Sequence, residues 1–483
     1  MLQILAYVLL FALCATVYRT AHSPTLRQWV LLTASYLLYL TWGPWFALVL
    51  FASTIMNFFL GQWLQRSHSA PVLWCGILLN LAVLSTFKYL PEAVLRLPLS
   101  VLQPLSHLAL PLGISFWTFQ AMSYLFDLYR GEELNPTFAE FALYMAFFPV
   151  TISGPICRLP DMLPQFRSDQ RTNWSAIARG FERIATGVFM MLLARLLGQG
   201  ILAGDGITSG FDRATRWTAL DVWCLAFGYG LQLFFDFAGY SHIAIGAAQV
   251  LGFTVPENFD RPFVSPTPSI FWTRWHMSLS FWIRDYVFLP LAVLHRQVWW
   301  RNLSLGIAMV IFGLWHEATV LLLLWGAYHG VILVLQRQIQ QIERKFDWNP
   351  PAKLWIVFSW LATVVLISLG WIFFRSNSLA QARQMWVAVF TPGAYASHLL
   401  SGSLYLLVAG LAIGYSLVSR LRDALAPIKS EDSIILRESN WAAALARWRW
   451  YWLPPLYAVA LLFLLIVTFS NRPSAAQFMY RKF

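Results

Sequence analysis

Charge is what this chain has least of. Of 483 residues, 34 are Lys or Arg and 22 are Asp or Glu, 12% in all, against 58% hydrophobic residues. A soluble domain covers its surface with about 25% charged residues, so these charges are too few for one. Cysteine is equally scarce. Cys14, Cys75 and Cys224 sit in apolar runs and Cys157 lies beside a basic loop. With no Cys-x-x-Cys spacing, neither a zinc knuckle nor a dithiol redox pair is indicated, and four small buried hydrophobes are expected. Walker loop, Gly-rich dinucleotide fingerprint and Ser nucleophile elbow are all missing, so soluble-enzyme templates do not apply. No internal repeat or low-complexity tract occurs, which argues against an inverted-repeat transporter. The first run, residues 1–17, has no basic leader and no small-residue cleavage site, and reads as a retained helix rather than a signal peptide.

What is present is oil. The chain carries 37 Phe and 25 Trp, with a mean hydropathy of +0.58. Apolar runs recur along its length in continuous stretches of about 17–25 residues, not in the alternating ten-residue segments of a β-barrel. The expected fold is all-α: a polytopic integral membrane protein of about 11–13 transmembrane helices, with re-entrant or interfacial helices, organised as one membrane domain over residues 1–483. Candidate spans are 1–18, 28–41, 45–63, 71–90, 106–126, 138–152, 184–202, 220–250, 303–336, 354–374, 402–419 and 451–470. The stretch 220–250 reads as one long tilted helix or two pieces, and 303–336 as two.

The net charge of +12 belongs to loops that meet anionic lipid headgroups; nothing suggests nucleic acid. Three basic clusters stand out: Arg158, Arg167, Arg171, Arg179 and Arg183; Arg337, Arg344, Lys345 and Lys353; and Arg420, Arg422, Lys429, Arg437, Arg447 and Arg449. The connection holding Asp127, Glu132 and Glu133 is acidic instead. Placing all three basic clusters in the cytoplasm agrees with the spans and sends the tail after residue 470 to the outer face. Residues 302–336 then begin and end on the cytoplasmic side. Two arms of about 25 Å fall short of full crossings, so a re-entrant hairpin turning near Gly313 to Ala318 is expected, with His316 deep in the membrane.

Ionisable side chains inside such runs are expensive and mark function by default. His316, in Gly313-Leu-Trp-His-Glu-Ala, is the first candidate. An imidazole accepts and returns a proton near neutral pH, and Trp315 and the Leu-rich run would partly desolvate it. His276, in Phe271-Trp-Thr-Arg-Trp-His-Met-Ser, is the second, either orienting a thioester or hydroxyl or capping a helix near the interface. Arg274, Arg284 and Arg296 could receive a phosphate-bearing donor or serve as interfacial anchors. Arg284 and Asp285 are adjacent and do not face each other on one helix, so Asp285 is expected to pair with a different basic residue. Asp236 and His242 form another polar island, and His329, between glycines, suggests close helix packing. No two of His242, His276, His316 and His329 have close metal-ligand spacing, so no metal site is expected.

These residues resemble a known family. Trp275-His-Met-Ser-Leu-Ser-x-Trp-x-Arg-Asp-Tyr followed by Gly-Leu-Trp-His316 is similar to the paired signature of the membrane-bound O-acyltransferases, in the bacterial branch that acetylates alginate or peptidoglycan or D-alanylates lipoteichoic acid. Pro111-Leu-Gly-Ile-Ser-Phe, Asp127-Leu-Tyr-Arg-Gly, Gly154-Pro, Phe235-Asp-Phe-x-Gly-Tyr-Ser and Glu257-Asn-Phe add to it. The likeness runs over about 28–375, leaving 376–483 as an extension with further spans and an aromatic tail.

The resemblance implies helices around a central funnel, with His316 catalytic and His276 its partner. Trp275, Trp315, Arg274, Arg284, Asp285 and Asp236 would support them or bind the donor. It implies no bound cofactor: acetyl-CoA or an acyl carrier thioester is a cytoplasmic co-substrate, and the acyl group moves to an extracytoplasmic polysaccharide with help from a partner acyltransferase. It also implies a cytoplasmic (inner) membrane location, and makes Tyr480, in Gln477-Phe-Met-Tyr-Arg-Lys-Phe, a relay candidate outside. Alternatives are D-alanyl transfer from a carrier protein and, in another class, a transporter of lipid-linked sugars. Three departures from the family pattern are Glu317, where relatives commonly carry Gly; His242, in place of an Asp; and 291–301, which lacks a glycine-rich connection.

Overall fold

In a computed structural model of the chain, the described residues are 2–425 apart from 97–104, 107, 170–171, 202–204, 214–215 and 347–350, together with 455, 458 and 462. Among them the chain is all helix, with no strand. The first eight helices are α1 (Leu2–Thr20), α2 (Pro24–Trp42), α3 (Pro44–Ser67), α4 (Ala70–Lys88), α5 (Leu90–Arg96), α6 (Ile114–Tyr129), α7 (Phe138–Ala146) and α8 (Leu159–Arg167). Then come α9 (Trp174–Gln199), α10 (Ile207–Arg213), α11 (Ala219–Val250), α12 (Pro268–Arg274), α13 (Met277–Ile283) and α14 (Leu289–Ala292). The last are α15 (Val298–His316), α16 (Val320–Lys345), α17 (Ala352–Arg375), α18 (Leu379–Phe390) and α19 (Gly402–Leu425).

Short polar side chains start these helices. Ser23, Asn173, Thr218, Thr267 and Thr319 each accept a hydrogen bond from the backbone N–H three residues on. Thr137 and Glu140 form a reciprocal capping box, satisfying donors that a helix start otherwise leaves open.

Among the described residues, seven helices are long and apolar enough to cross a membrane: α3, α4, α11, α15, α16, α17 and α19. In α11, 89% of the most apolar window is buried inside the protein, against 17–39% in the other six. The protein is therefore a multi-pass membrane protein with α11 at its centre and the others turning Leu, Phe and Trp side chains outward. The close fit of α9 along α11 depends on small residues. Gly180 and Gly187 face Gly246 and Gly239, and a Cβ at Gly246 would lie 2.6 Å from the Gly180 carbonyl oxygen. Such contact lets two backbones approach where lipid offers no hydrophobic drive.

Two expectations change, and the open reading of 220–250 closes. The run 138–152 is not a crossing: α7 has nine residues, about 14 Å against the roughly 30 Å of a bilayer core. The chain turns at Phe147-Phe-Pro149, where proline has no N–H to extend a helix. The connections on either side of α7 therefore share one end of the molecule, where Arg167 Nε lies 2.8 Å from Glu140 Oε1. The stretch 220–250 is one helix of 32 residues. The hairpin does turn just after His316, but its arms have 19 and 26 residues, about 28 and 39 Å. Both are long enough to cross, because α16 runs on to Lys345, so the length argument for a re-entrant pair falls away. The span at 451–470 lies almost wholly outside the described residues.

Candidate active site

Helices from distant parts of the chain line one small cavity. It is lined by Leu233 and Phe237 of α11, Trp275 and His276 between α12 and α13, His316 of α15, Trp325 of α16, and Trp371 and Phe374 of α17. The two histidines singled out from sequence thus meet across 40 residues of chain. His316 stacks on Phe312, with ring centroids 5.7 Å apart, and His276 meets the same ring edge-on at 6.4 Å. Trp325 at 5.7 Å and Phe374 at 5.0 Å complete the aromatic collar around His316.

His276 sits in an irregular turn. Its backbone is left-handed, with φ 45° and ψ 53°, a region that non-glycine residues enter at a cost of about 1–3 kcal/mol. Asn258 holds it there. The Asn258 carbonyl accepts from Met277 N at 2.8 Å, while its side-chain Oδ1 accepts from Ser278 Oγ at 2.8 Å and lies 3.1 Å from His276 Nδ1. Asn258 Nδ2 donates to Ser241 Oγ at 3.1 Å. Because Oδ1 can only accept, Nδ1 of His276 carries the proton, and in the neutral ring Nε2 is an acceptor.

His316 is the last residue of α15. Gly313, one turn earlier, packs so closely on the Leu322 carbonyl of α16 that a Cβ would clash, and the same holds for Gly326 against Met309. The close packing expected around His329 is therefore present. His329 itself is buried between Trp272, at 5.1 Å, and Trp325, at 5.0 Å.

The remaining candidates separate. Trp275 lines the cavity. Trp315 is buried against Phe119, 5.5 Å between centroids, and lies 6.0 Å from His276. Asp236 is buried on α11 beside Phe237 but is not a wall residue. Arg274 ends α12, where its carbonyl accepts from Asp260 N. Arg284 and Asp285 lie on a single π-turn, Arg284–Phe288. There Asp285 pairs with Arg158 at 2.6 Å, as a partner distant in sequence, but also with its neighbour Arg284 at 2.7 Å. That second pair corrects the expectation: Arg284 is long and half-exposed, and its guanidinium folds back along the surface. Arg130 donates to the Asp285 carbonyl at 2.6 Å, and Asp127 accepts from Tyr286 at 2.7 Å. Burial pushes the Asp285 carboxyl up, but the Arg284 and Arg158 guanidiniums hold it below its ordinary range. Burial raises Asp127 to about 6. Tyr480 lies outside the described residues. Among those described, no three His, Cys, Asp or Glu side chains gather as a metal would require.

Sequence reasoning missed six contributors. Asn258 lay inside a quoted motif without being assigned a role. Trp325, Trp371 and Phe374 lie in oily runs that carry no polar signal. Lys88 and Tyr89 close the α4 run, and a lone cation at the end of an oily stretch was the available signal.

A polytopic helical protein whose paired histidines face one aromatic cavity defines a class, and the comparison with known proteins agrees. Residues 59–379 match the membrane-bound O-acyltransferase family. The chain belongs to that family and is an O-acyltransferase. It is 34% identical over 385 residues to the Pseudomonas aeruginosa protein named "Probable alginate O-acetylase AlgI", covering 76% of this chain and 71% of that one. It is 30% identical over 402 residues to the peptidoglycan O-acetyltransferase of Helicobacter pylori (75% and 73%). Against the teichoic acid D-alanyltransferase of Bacillus subtilis it is 28% identical over 279 residues (55% and 69%).

Proposed function

We propose that this O-acyltransferase moves an acetyl group from a cytoplasmic thioester, acetyl-CoA or an acyl carrier, toward a hydroxyl of an extracytoplasmic cell-surface polysaccharide. His316 is the general base. It takes the proton of the attacking hydroxyl as oxygen bonds to the acyl carbon, and returns it to the thiolate that leaves. The convergence of His276 and His316 on one cavity carries this reading. Polarising the acyl carbonyl would need a donor at Nε2 of His276, which the neutral ring does not offer. His276 instead orients the donor by accepting from a group near the sulfur, such as the first amide N–H of a pantetheine arm.

The walls favour acetyl. Apart from the two imidazoles the lining is apolar and without a carboxylate, so the ammonium of a D-alanyl group would enter with no anionic partner. The named relatives that acetylate alginate or peptidoglycan support a polysaccharide acceptor. The basic clusters support a cytoplasmic-membrane orientation with the C-terminus outside. Tyr480 and a separate extracytoplasmic acyltransferase are the candidate next acceptors.

The test is the purified protein in nanodiscs with radiolabelled acetyl-CoA. Wild-type turnover or self-labelling that His316→Ala abolishes supports the proposal. Equal activity in both sinks the base assignment, and turnover with D-alanyl carrier protein but not acetyl-CoA moves the acyl group to D-alanine.

A further inference from the structure

His316 occupies the weakest position a helix has. The last carbonyls of an α-helix lack intrahelical partners and its final turn frays, yet a general base must keep its place to a fraction of an ångström. The hairpin turn after it, 317–319, gives little help, since Glu317 and Ala318 are exposed.

Helix α4 supplies the missing partners. Lys88, its last residue, donates from Nζ to the Trp315 carbonyl and lies 3.3 Å from Ser115 Oγ. The same ammonium stands 4.7 Å from the centre of the Trp315 indole. Tyr89, the next residue, donates its hydroxyl to the carbonyls of Leu314 at 3.1 Å and Trp315 at 3.2 Å. On the other side of the histidine, Glu317 carries the charge opposite to that of Lys88. The peptide units just before His316 are thus fastened to α4. A cation at a helix C-terminus is also where the helix dipole favours one.

We infer that Lys88 is a positioning residue for His316: with Tyr89 it caps the C-terminus of α15, clamps the backbone on which the base is carried and so sets the rate of the chemical step. This rests on the assignment of His316 as base. Lys88 itself touches no reacting atom.

The experiment compares wild type, His316→Ala, Lys88→Met, Lys88→Arg and Tyr89→Phe as full chains in nanodiscs with acetyl-CoA. It reads kcat and KM separately, alongside the thermal midpoint. Lys88→Met is expected to lower kcat about 10- to 100-fold with KM for acetyl-CoA within about twofold. Lys88→Arg, which can still donate to the carbonyl, should recover part of that loss. Tyr89→Phe removes one hydroxyl and should cost kcat about two- to fivefold. A folded Lys88→Met protein with wild-type kcat overturns the inference, as does a loss matched by a falling folded fraction. Where Lys88→Met does not fold, Tyr89→Phe decides: reduced kcat at unchanged KM supports the clamp, and unchanged kcat overturns it. If His316→Ala is as active as wild type, the base assignment fails first. If only the lysine and tyrosine variants are silent in their effect, the clamp fails alone.

Discussion

The cavity and the charged end of the molecule place polar groups in a largely apolar protein by opposite means. At the charged end, ions answer ions: Asp285 sits between Arg158 and Arg284, and Glu140 is met by Arg167. In the cavity the wall residues are neutral or imidazole, and the histidine rings meet aromatic faces and the Asn258 amide. His276 is fixed through its side chain, by a hydrogen bond to Asn258 that also selects its tautomer. His316 is fixed through aromatic faces and through the carbonyls of the helix it ends. Ion pairs hold the loops together at the charged end, whereas aromatic faces and a neutral amide hold the rings in the cavity.

The sharpest way to break that contrast is at the histidines. His316→Ala should lower acyl transfer by about 10³–10⁴, read as label transferred from acetyl-CoA. Asn258→Leu should cost about 10- to 100-fold, with the pH profile altered, because the tautomer of His276 is no longer selected. His276→Gly and His276→Ala separate geometry from chemistry. Both remove the imidazole, but at φ 45° glycine should be more stable than alanine by about 1 kcal/mol, visible in the thermal midpoint.

The aromatic walls offer a gain rather than a loss. Trp371 closes the cavity against Trp325 and Phe374, with centroids 6.2 and 5.6 Å away. Trp371→Ala should raise turnover of butyryl-CoA relative to acetyl-CoA about 10-fold, as one or two methylenes are worth about 1–3 kcal/mol in such a site. An unchanged chain-length profile would show that the acyl group does not sit against this wall.

The sequence exposed what local chemistry can announce. A Trp-His-Glu step between oily runs breaks a hydrophobic pattern, and so the hairpin turn after His316 was legible in advance. The left-handed backbone at His276 was not, since histidine carries no conformational signature there as glycine would. Nor was the pairing of Arg158 with Asp285, 127 residues apart, because only the fold sets which loops share an end. The run 138–152 misled for a related reason. Buried Phe and Met residues are as oily in a nine-residue helix packed inside the protein as in one that crosses a bilayer.

At the charged end the effects are on stability, and there two carboxylates should respond to pH with opposite signs. Asp127 is raised to about 6 by burial, so its ionised form is disfavoured in the folded protein. Stability from this group is greatest below its unfolded value near 3.9 and declines as pH rises through 6, by up to about 3 kcal/mol. Asp127→Asn, which can still accept from Tyr286, should therefore raise the thermal midpoint at pH 8 and lose that advantage at pH 4. Glu140 runs the other way, since the Arg167 hydrogen bond holds it below its ordinary range. Its contribution is present above the unfolded value near 4.3 and is lost as pH falls through the lower folded value. Because the Arg167 side chain is 47% exposed, solvent screens the pair, and Glu140→Gln should cost only about 1 kcal/mol at pH 7. That cost should shrink toward pH 4 and in high salt. If both variants shifted the midpoint in the same direction at pH 8, the charged end would not be the set of opposed ion contacts that distinguishes it from the cavity.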